Sequence, residues 1–288
     1  MSELTLAVVI VTRGRAAILG GLLRRLARQT RRPDFIVVSA SEPSDIEGAE
    51  GASFVFGPPG VGPSRNRALE AIAGEADLAV FLDDDFTPSP AMLARVEALF
   101  LGRPQLVGAL GHVVKGGVAG PTIGAAEADK LAAALDAAPP KRFERPAIGL
   151  YGSNMVVRLS AAEGLTFDET TPVNGWQEDL DFGVRLAQRG DVIRTTAFGG
   201  VHRGVRTGAH PQRGLGYAQV ATPVRLMRRG TIPKRYLMKL MVRNLASNAV
   251  GAVAGGEGVD RRGRFAGNLI AFRDLALGEL DPDKASDL

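Results

Sequence analysis

Leu78-Ala79-Val80-Phe81-Leu82-Asp83-Asp84-Asp85 is the stretch on which the fold turns. Five apolar residues in succession have the character of a short strand buried on both faces. Three carboxylates follow at once, and they repel one another strongly unless something positive lies among them. A strand that emerges from a core into clustered acid suggests the carboxyl end of a parallel sheet, where ligands of open α/β folds bind.

Working outward, the residues before this strand alternate between two periods. Leu6 to Thr12 is another continuous apolar run, and Ile18, Leu19, Leu22, Leu23 and Leu26 then recur at helical spacing. Phe35 to Val38 and Phe54 to Phe56 are two more short strands, with helical character from Pro63 to Ala73. After the acidic triplet a helix is expected over Pro90 to Leu101. Strands alternating with helices predict an α/β chain with a doubly wound, mostly parallel sheet.

The middle is less regular. A strand is expected from Gln105 to Val114, a helix from Ala125 to Ala137, and β-rich stretches from Ala147 to Val157. A helix near Gln177 to Gln188 and a strand at Val192 to Thr195 follow. Gly199 to Gly216 is rich in glycine and reads as a mobile loop and candidate lid. The chain from Pro233 onward is helical in composition. The expected division is a catalytic part, 1–215, and a C-terminal helical extension, 216–288.

Composition narrows the classes. The 288 residues contain no cysteine, which excludes disulfide scaffolds and thiolate metal sites. A net charge of +4 is too small to argue for nucleic acid, and no such partner is expected. Basic residues gather instead in the last third, at Arg225, Arg228, Arg229, Lys234, Arg235 and Lys239, a pattern suited to phosphates or an anionic membrane face. No apolar run reaches the ~18 residues needed to span a bilayer. The expected location is the cytoplasm, with the basic C-terminal segment as the candidate for peripheral contact with the inner membrane face. Leu237, Leu240, Met241, Leu245 and Val250 form an apolar stripe there that serves either packing or lipid contact.

Three groups carry the chemistry. Asp83, Asp84 and Asp85 stand where carboxylates can hold Mg²⁺ or Mn²⁺ against a diphosphate. Gly175-Trp176-Gln177-Glu178-Asp179 opens a helix with a second acidic site, suited to a general base. Acid in a first helical turn also complements the helix dipole, and Asp181 with Arg185 has the spacing of a surface pair. His202 is a candidate metal ligand, ahead of His112 and His210.

In this order the motifs resemble those of the family 2 glycosyltransferases of the A-type fold, over roughly residues 6 to 204. The matching stretches are Val8 to Thr12, Gly62-Pro63-Ser64-Arg65-Asn66, Phe81 to Asp85, Gly152-Ser153-Asn154-Met155, Glu178-Asp179 with Arg185-Leu186, and His202. The resemblance implies an inverting, metal-dependent transfer from a nucleoside-diphosphate sugar, UDP-type for preference. The acceptor would be a glycan, a lipid-linked molecule or a small molecule, in polysaccharide, glycolipid or glycoconjugate synthesis. It implies Asp85, Asp83 and His202 as metal ligands, Asp179 as base, and Glu178 beside it placing the acceptor. Thr12 and Arg13 would lie near the nucleotide base and Arg65 near the phosphates. Gly152 and Asn154 would border the sugar pocket. Asp83, Asp84 and Trp176 complete the expected donor-binding set, although Asp84 reads equally as a spacer. One departure stands out: Val38-Ser39-Ala40-Ser41 lacks the acid that reads the base in many members, leaving Ser39, Glu42 and Asp45 as substitutes. Two rivals to the transferase reading are a sugar nucleotidyltransferase and a non-catalytic nucleotide- or glycan-binding protein.

Overall fold

The computed structural model describes residues 3–116, 121–170, 177–205, 212–255 and 259–288. The first half follows the alternation of its sequence: β1 (Leu6–Val11), α1 (Ala16–Leu26), β2 (Phe35–Ala40), β3 (Ser53–Phe56), α2 (Val61–Ala71) and β4 (Leu78–Asp83). β1 pairs in parallel with both β2 and β4, and β2 with β3. The central strands β1 and β4 are buried on both faces, as their unbroken apolar runs require, while β3 at the edge is partly exposed. Leu6, Val8 and Ile10 pack with Leu19, Leu22 and Leu26 of α1 on one side. Ala7 and Val9 pack with Ala68 of α2 on the other.

Beyond β4 the order becomes mixed. β5 (Phe86–Pro88), α3 (Met92–Leu101), β6 (Leu106–Gly116), α4 (Ala125–Ala137), β7 (Glu144–Pro146), β8 (Asn154–Arg158), the short α5 (Leu159–Ala162), α6 (Glu178–Leu186) and β9 (Asp191–His202) complete the sheet and its cover. The sheet runs β3-β2-β1-β4-β8-β6-β9-β5, with β7 also on β9. β8 is inserted antiparallel between β4 and β6, while β6 and β9 are parallel. β5 and β7 lie antiparallel on β9, so among the described residues six strands run one way and three the other.

β9 corrects the reading of Gly199 to Gly216 as a loop. The strand continues to His202, and Gly199 and Gly200 belong to it. A side chain at Gly199 would place its Cβ 2.1 Å from the His112 carbonyl, and one at Gly200 2.2 Å from that of Thr87. Glycine is needed here for close strand approach. The far end of the stretch, from Gln212, is helix; residues 206–211, with His210, lie outside the described residues.

Three α-helices follow, α7 (Gln212–Arg229), α8 (Lys234–Ala254) and α9 (Arg261–Leu277), and then a 3₁₀ helix at Pro282–Ser286. A buried amide network fixes how they meet. Asn248 of α8 donates to Gln219 of α7 at 2.7 Å and to Asn268 of α9 at 2.9 Å. Asn268 in turn donates to the Gly216 carbonyl at 2.6 Å. A satisfied polar network of this kind specifies one register of packing. The bundle also supports the sheet's cover: Leu226, Ile232 and Leu237 pack on Leu180 and Val184 of α6. Thr231 donates to Asp181 at 3.0 Å, and Asp181 accepts from Arg185 one turn later at 3.0 Å. Of the expected apolar stripe, Leu237 and Met241 are buried, but Val250 is 67% exposed. No described helix is long and apolar enough to cross a membrane.

Candidate active site

The acidic triplet ends β4 and splits by role. Asp84 turns inward. Its buried carboxylate accepts from Thr12 Oγ1 at 2.7 Å and from Arg15 Nε at 2.9 Å. Burial pushes Asp84 up to about 7, against the pull of Arg15 and the Thr12 hydroxyl. Thr12, itself buried, spends its hydroxyl on this contact. Arg15 escaped the sequence reading; it also donates to the Val205 carbonyl at 3.0 Å and so ties the triplet to the chain after β9.

Asp83 and Asp85 face His202 instead. His202 Nε2 lies 3.0 Å from Asp83 Oδ2 and 3.5 Å from Asp85 Oδ1. The second distance is too long for a good hydrogen bond and becomes an ion-pair contact when the imidazole is protonated. The sheet makes this meeting. β5 pairs with the end of β9 so that Phe86, next to Asp85, stands opposite His202. The Arg203 amide then donates to the Asp85 carbonyl at 3.2 Å, and the Val205 amide to Asp85 Oδ2 at 2.7 Å. Burial opposes the charged imidazole, but the bond to Asp83 and the charges of Asp83 and Asp85 outweigh it and raise His202. Asp83 is lowered: burial works upward, and His202, Arg65 and Arg15 overcome it.

One oxygen or nitrogen from each of Asp83, Asp85 and His202 lies within 4.8 Å of the others. Two carboxylates and an imidazole converging so closely fit a divalent cation of the Mg²⁺ or Mn²⁺ kind, the imidazole suiting Mn²⁺ better. Among the described residues this is the one such group.

The second acidic site opens α6. Gln177 precedes it in the left-handed region, with φ 69°, and its buried side-chain amide has no hydrogen-bond partner among the described residues. Non-glycine residues held there cost energy and cluster at working sites. Glu178 and Asp179 come next, in the first turn. Arg65 Nη1 donates to Glu178 Oε1 at 2.6 Å, and both side chains are buried. Asp179 Oδ2 accepts from the Gly152 amide at 2.6 Å and Oδ1 from the Leu180 amide at 2.7 Å. Glycine is required at 152, because a Cβ would lie 1.7 Å from Arg65 Nη2. Burial and the Asp179 charge lift Glu178 to about 7 against Arg65. Burial also raises Asp179, again against Arg65. Arg65 and Asp83 act on the ionisation of both carboxylates, so the two acidic groups share one electrostatic site.

Other expected residues sit further back. Ser39 is buried at the end of β2, its hydroxyl unpaired among the described residues. Asn154 is buried in β8, its amide 3.5 Å from the His112 carbonyl. Arg13 is exposed, and Trp176 lies outside the described residues. Asp45, a suggested substitute for the base-reading acid, is buried and serves the backbone. It accepts from the amides of Gly14 at 2.5 Å, Ser41 at 2.9 Å and Glu42 at 3.1 Å, locking the turns after β1 and β2 together. A separate groove of about 440 Å³ is lined by Asn66, Phe167, Asp168, Asp181, Arg185 and Arg229, and by none of the acidic side chains just described.

No family model and no curated protein sequence matches the chain. Solved structures do. Staphylococcus aureus TarS (residues 1–349) matches with a TM-score of 0.55 at 14% identity, over 93% of this chain and 80% of that one. The mannosyltransferase PcManGT from Pyrobaculum calidifontis, solved with GDP-Man and Mn²⁺, matches with a TM-score of 0.54 at 16% identity, over 96% and 81%. Glucosyl-3-phosphoglycerate synthase from Mycobacterium tuberculosis matches with a TM-score of 0.51 at 21% identity, over 80% and 81%. The mixed sheet, its helical cover and these likenesses agree: the chain has the A-type fold of the glycosyltransferases.

Proposed function

We propose that this chain is an inverting glycosyltransferase of the family 2 type, moving a sugar from a nucleoside-diphosphate donor, UDP-linked for preference, to an acceptor hydroxyl. The observation that carries the reading is Arg65. Its guanidinium is buried against Glu178 while its charge acts on Asp83 and Asp179, which links a cation-type donor set to a carboxylate of raised proton affinity. Asp83, Asp85 and His202 would hold Mn²⁺ or Mg²⁺. Bound there, the cation supplies Lewis acidity toward the leaving diphosphate.

The chain's own residues do the rest. Asp179 takes the proton of the acceptor hydroxyl as its oxygen bonds to the anomeric carbon. The bond from that carbon to the diphosphate oxygen breaks on the opposite face, and its electron pair leaves with the nucleoside diphosphate. A positioned base of this kind contributes ~10² to 10⁴ in rate. The Gly152 amide aims the carboxylate. Glu178, with its proton affinity raised by burial, is suited to hold the acceptor by a hydrogen bond. We assign catalysis to 1–215 and a buttressing role behind α6 to 216–288.

The test is a panel of nucleotide-sugars with Mn²⁺, read as nucleoside diphosphate released by the wild type and by Asp179→Asn. Release from at least one donor by the wild type alone supports the reading. No turnover of any donor, or equal turnover by the variant, sinks it.

A further inference from the structure

Helix α8 has two working faces, and the fold uses only one. Leu237 packs against Leu226 and Ile232, and Met241 against the α7–α9 core. The opposite side presents Met238, Val242, Val250 and Val253 to solvent, at 44%, 56%, 67% and 88% exposure. At 100° per residue these four fall within an arc of about 120°, which Arg235 and Lys239 share. Single exposed apolar residues are ordinary, whereas a group along one helix face marks a surface that binds something.

The charges around them say what. Lys234, Arg235, Lys239 and Arg243 are all exposed on the same helix, and among the described residues none is in an ion pair. The helix has no acidic residue. A second copy docking through this face would bring like charges together without compensation. An anionic lipid surface meets both requirements: the valines and methionine enter the headgroup boundary while lysine and arginine reach the phosphates.

We propose that α8 is a membrane-docking helix, lying flat on an anionic bilayer through Met238, Val242, Val250 and Val253 with its four cations on the headgroups. Its place in the fold gives the docking a consequence. Tyr236, in the first turn, shares a 2.7 Å hydrogen bond with Tyr151, whose neighbour Gly152 holds Asp179. A bilayer under α8 therefore lies beside the site, within reach of an acceptor carried in the membrane. The docking itself does not rest on the transferase reading.

Flotation of the full chain with phosphatidylcholine vesicles, with and without phosphatidylglycerol, tests the proposal without reading catalysis. The expected result is flotation with the anionic vesicles alone, released by salt. Lys239→Gln with Arg243→Gln should lower the partition coefficient about tenfold or more. Val242→Ser with Val253→Ser should lower it by a comparable factor. Unchanged melting temperatures would establish that these exposed positions leave the fold intact. Failure to float with anionic vesicles at low salt overturns the proposal, as does equal flotation with neutral ones or binding undiminished in both variants. A concentration-dependent dimer in light scattering, abolished by Val242→Ser with Val253→Ser, would also overturn it, by assigning the face to a second copy.

Discussion

His202 Nε2 lies 3.0 Å from Asp83 Oδ2, although 119 positions separate the two residues. With Asp85 beside them, this pair makes up the donor set proposed for the cation. Replacing Asp85 or His202 by alanine removes one of three converging donors. Each variant should bind Mn²⁺ at least tenfold to a hundredfold more weakly, since changes even to groups that only orient a metal's ligands cost that much. Calorimetric titration with Mn²⁺ checks it, and unchanged affinity in both variants would refute the donor set.

Asp179→Asn keeps the shape of the side chain and removes its basicity. Turnover should fall by ~10² to 10⁴ while donor affinity stays within a few-fold, because the carboxylate is assigned to the acceptor proton. Steady-state kinetics with a donor-binding titration separates the two effects. A variant that loses donor binding and keeps turnover would reassign the residue.

Glu178 gives a pH dependence with a definite sign. Its affinity for a proton is raised in the folded state, from an ordinary value of 4.5 to about 7, by burial and by Asp179 against Arg65. The native state therefore binds that proton more tightly than the unfolded chain. Its contribution to stability is complete below about 4.5 and is lost as pH rises toward 7. Metal-free wild type should lose on the order of 2–3 kcal/mol more than Glu178→Gln between those limits. Denaturant titrations of both proteins at several pH values would measure it, and parallel curves would count against a protonated Glu178.

Gly152→Ala tests the packing between the two halves of the site. A Cβ there displaces the Arg65 guanidinium from its place beside Glu178. Overpacking of this kind typically costs about 1–3 kcal/mol. The variant should melt earlier and lose turnover together, and a variant with normal melting and normal rate would mean that Arg65 relocates freely.

Asp45→Ala leaves three backbone amides without their acceptor. The loss should be about 2–4 kcal/mol, as for charge-assisted bonds removed from a buried group. Chemical denaturation reads the cost directly. A change under about 0.5 kcal/mol, the scale of ordinary surface positions, would mean that water replaces the carboxylate.

Much of the fold was legible because its first half is built from local pattern. The runs at Leu6 and Leu78 are apolar without interruption since each strand is buried on both faces, and α1 shows its stripe of leucines. What local pattern does not contain is partner choice. Nothing in Asn154 to Arg158 says that this strand inserts antiparallel between β4 and β6. β5 is three residues long and ends in proline, too short to show a period. Gly199 and Gly200 misled for a physical reason: glycine gives freedom in a loop and closeness in a sheet, and only the neighbouring carbonyls distinguish the two. In the site, the acidic residues announced themselves by position and type. Arg15 did not, because its work is to hold a carboxylate 69 positions away; Asp45 stood out as an acid near β2, but its bond to the Gly14 amide, 31 positions back, is invisible to local pattern.

The short ladder between β5 and β9 has one more effect. Asp85 precedes the first of these strands and His202 ends the second, so any cation gripping both residues also fastens the edge of the sheet. Edge opening and ion release then become one equilibrium. Each tenfold rise in free cation above its dissociation constant should slow amide exchange along that edge by up to tenfold, about 1.4 kcal/mol. The concentration of a metal in solution would set how often one border of the protein breathes.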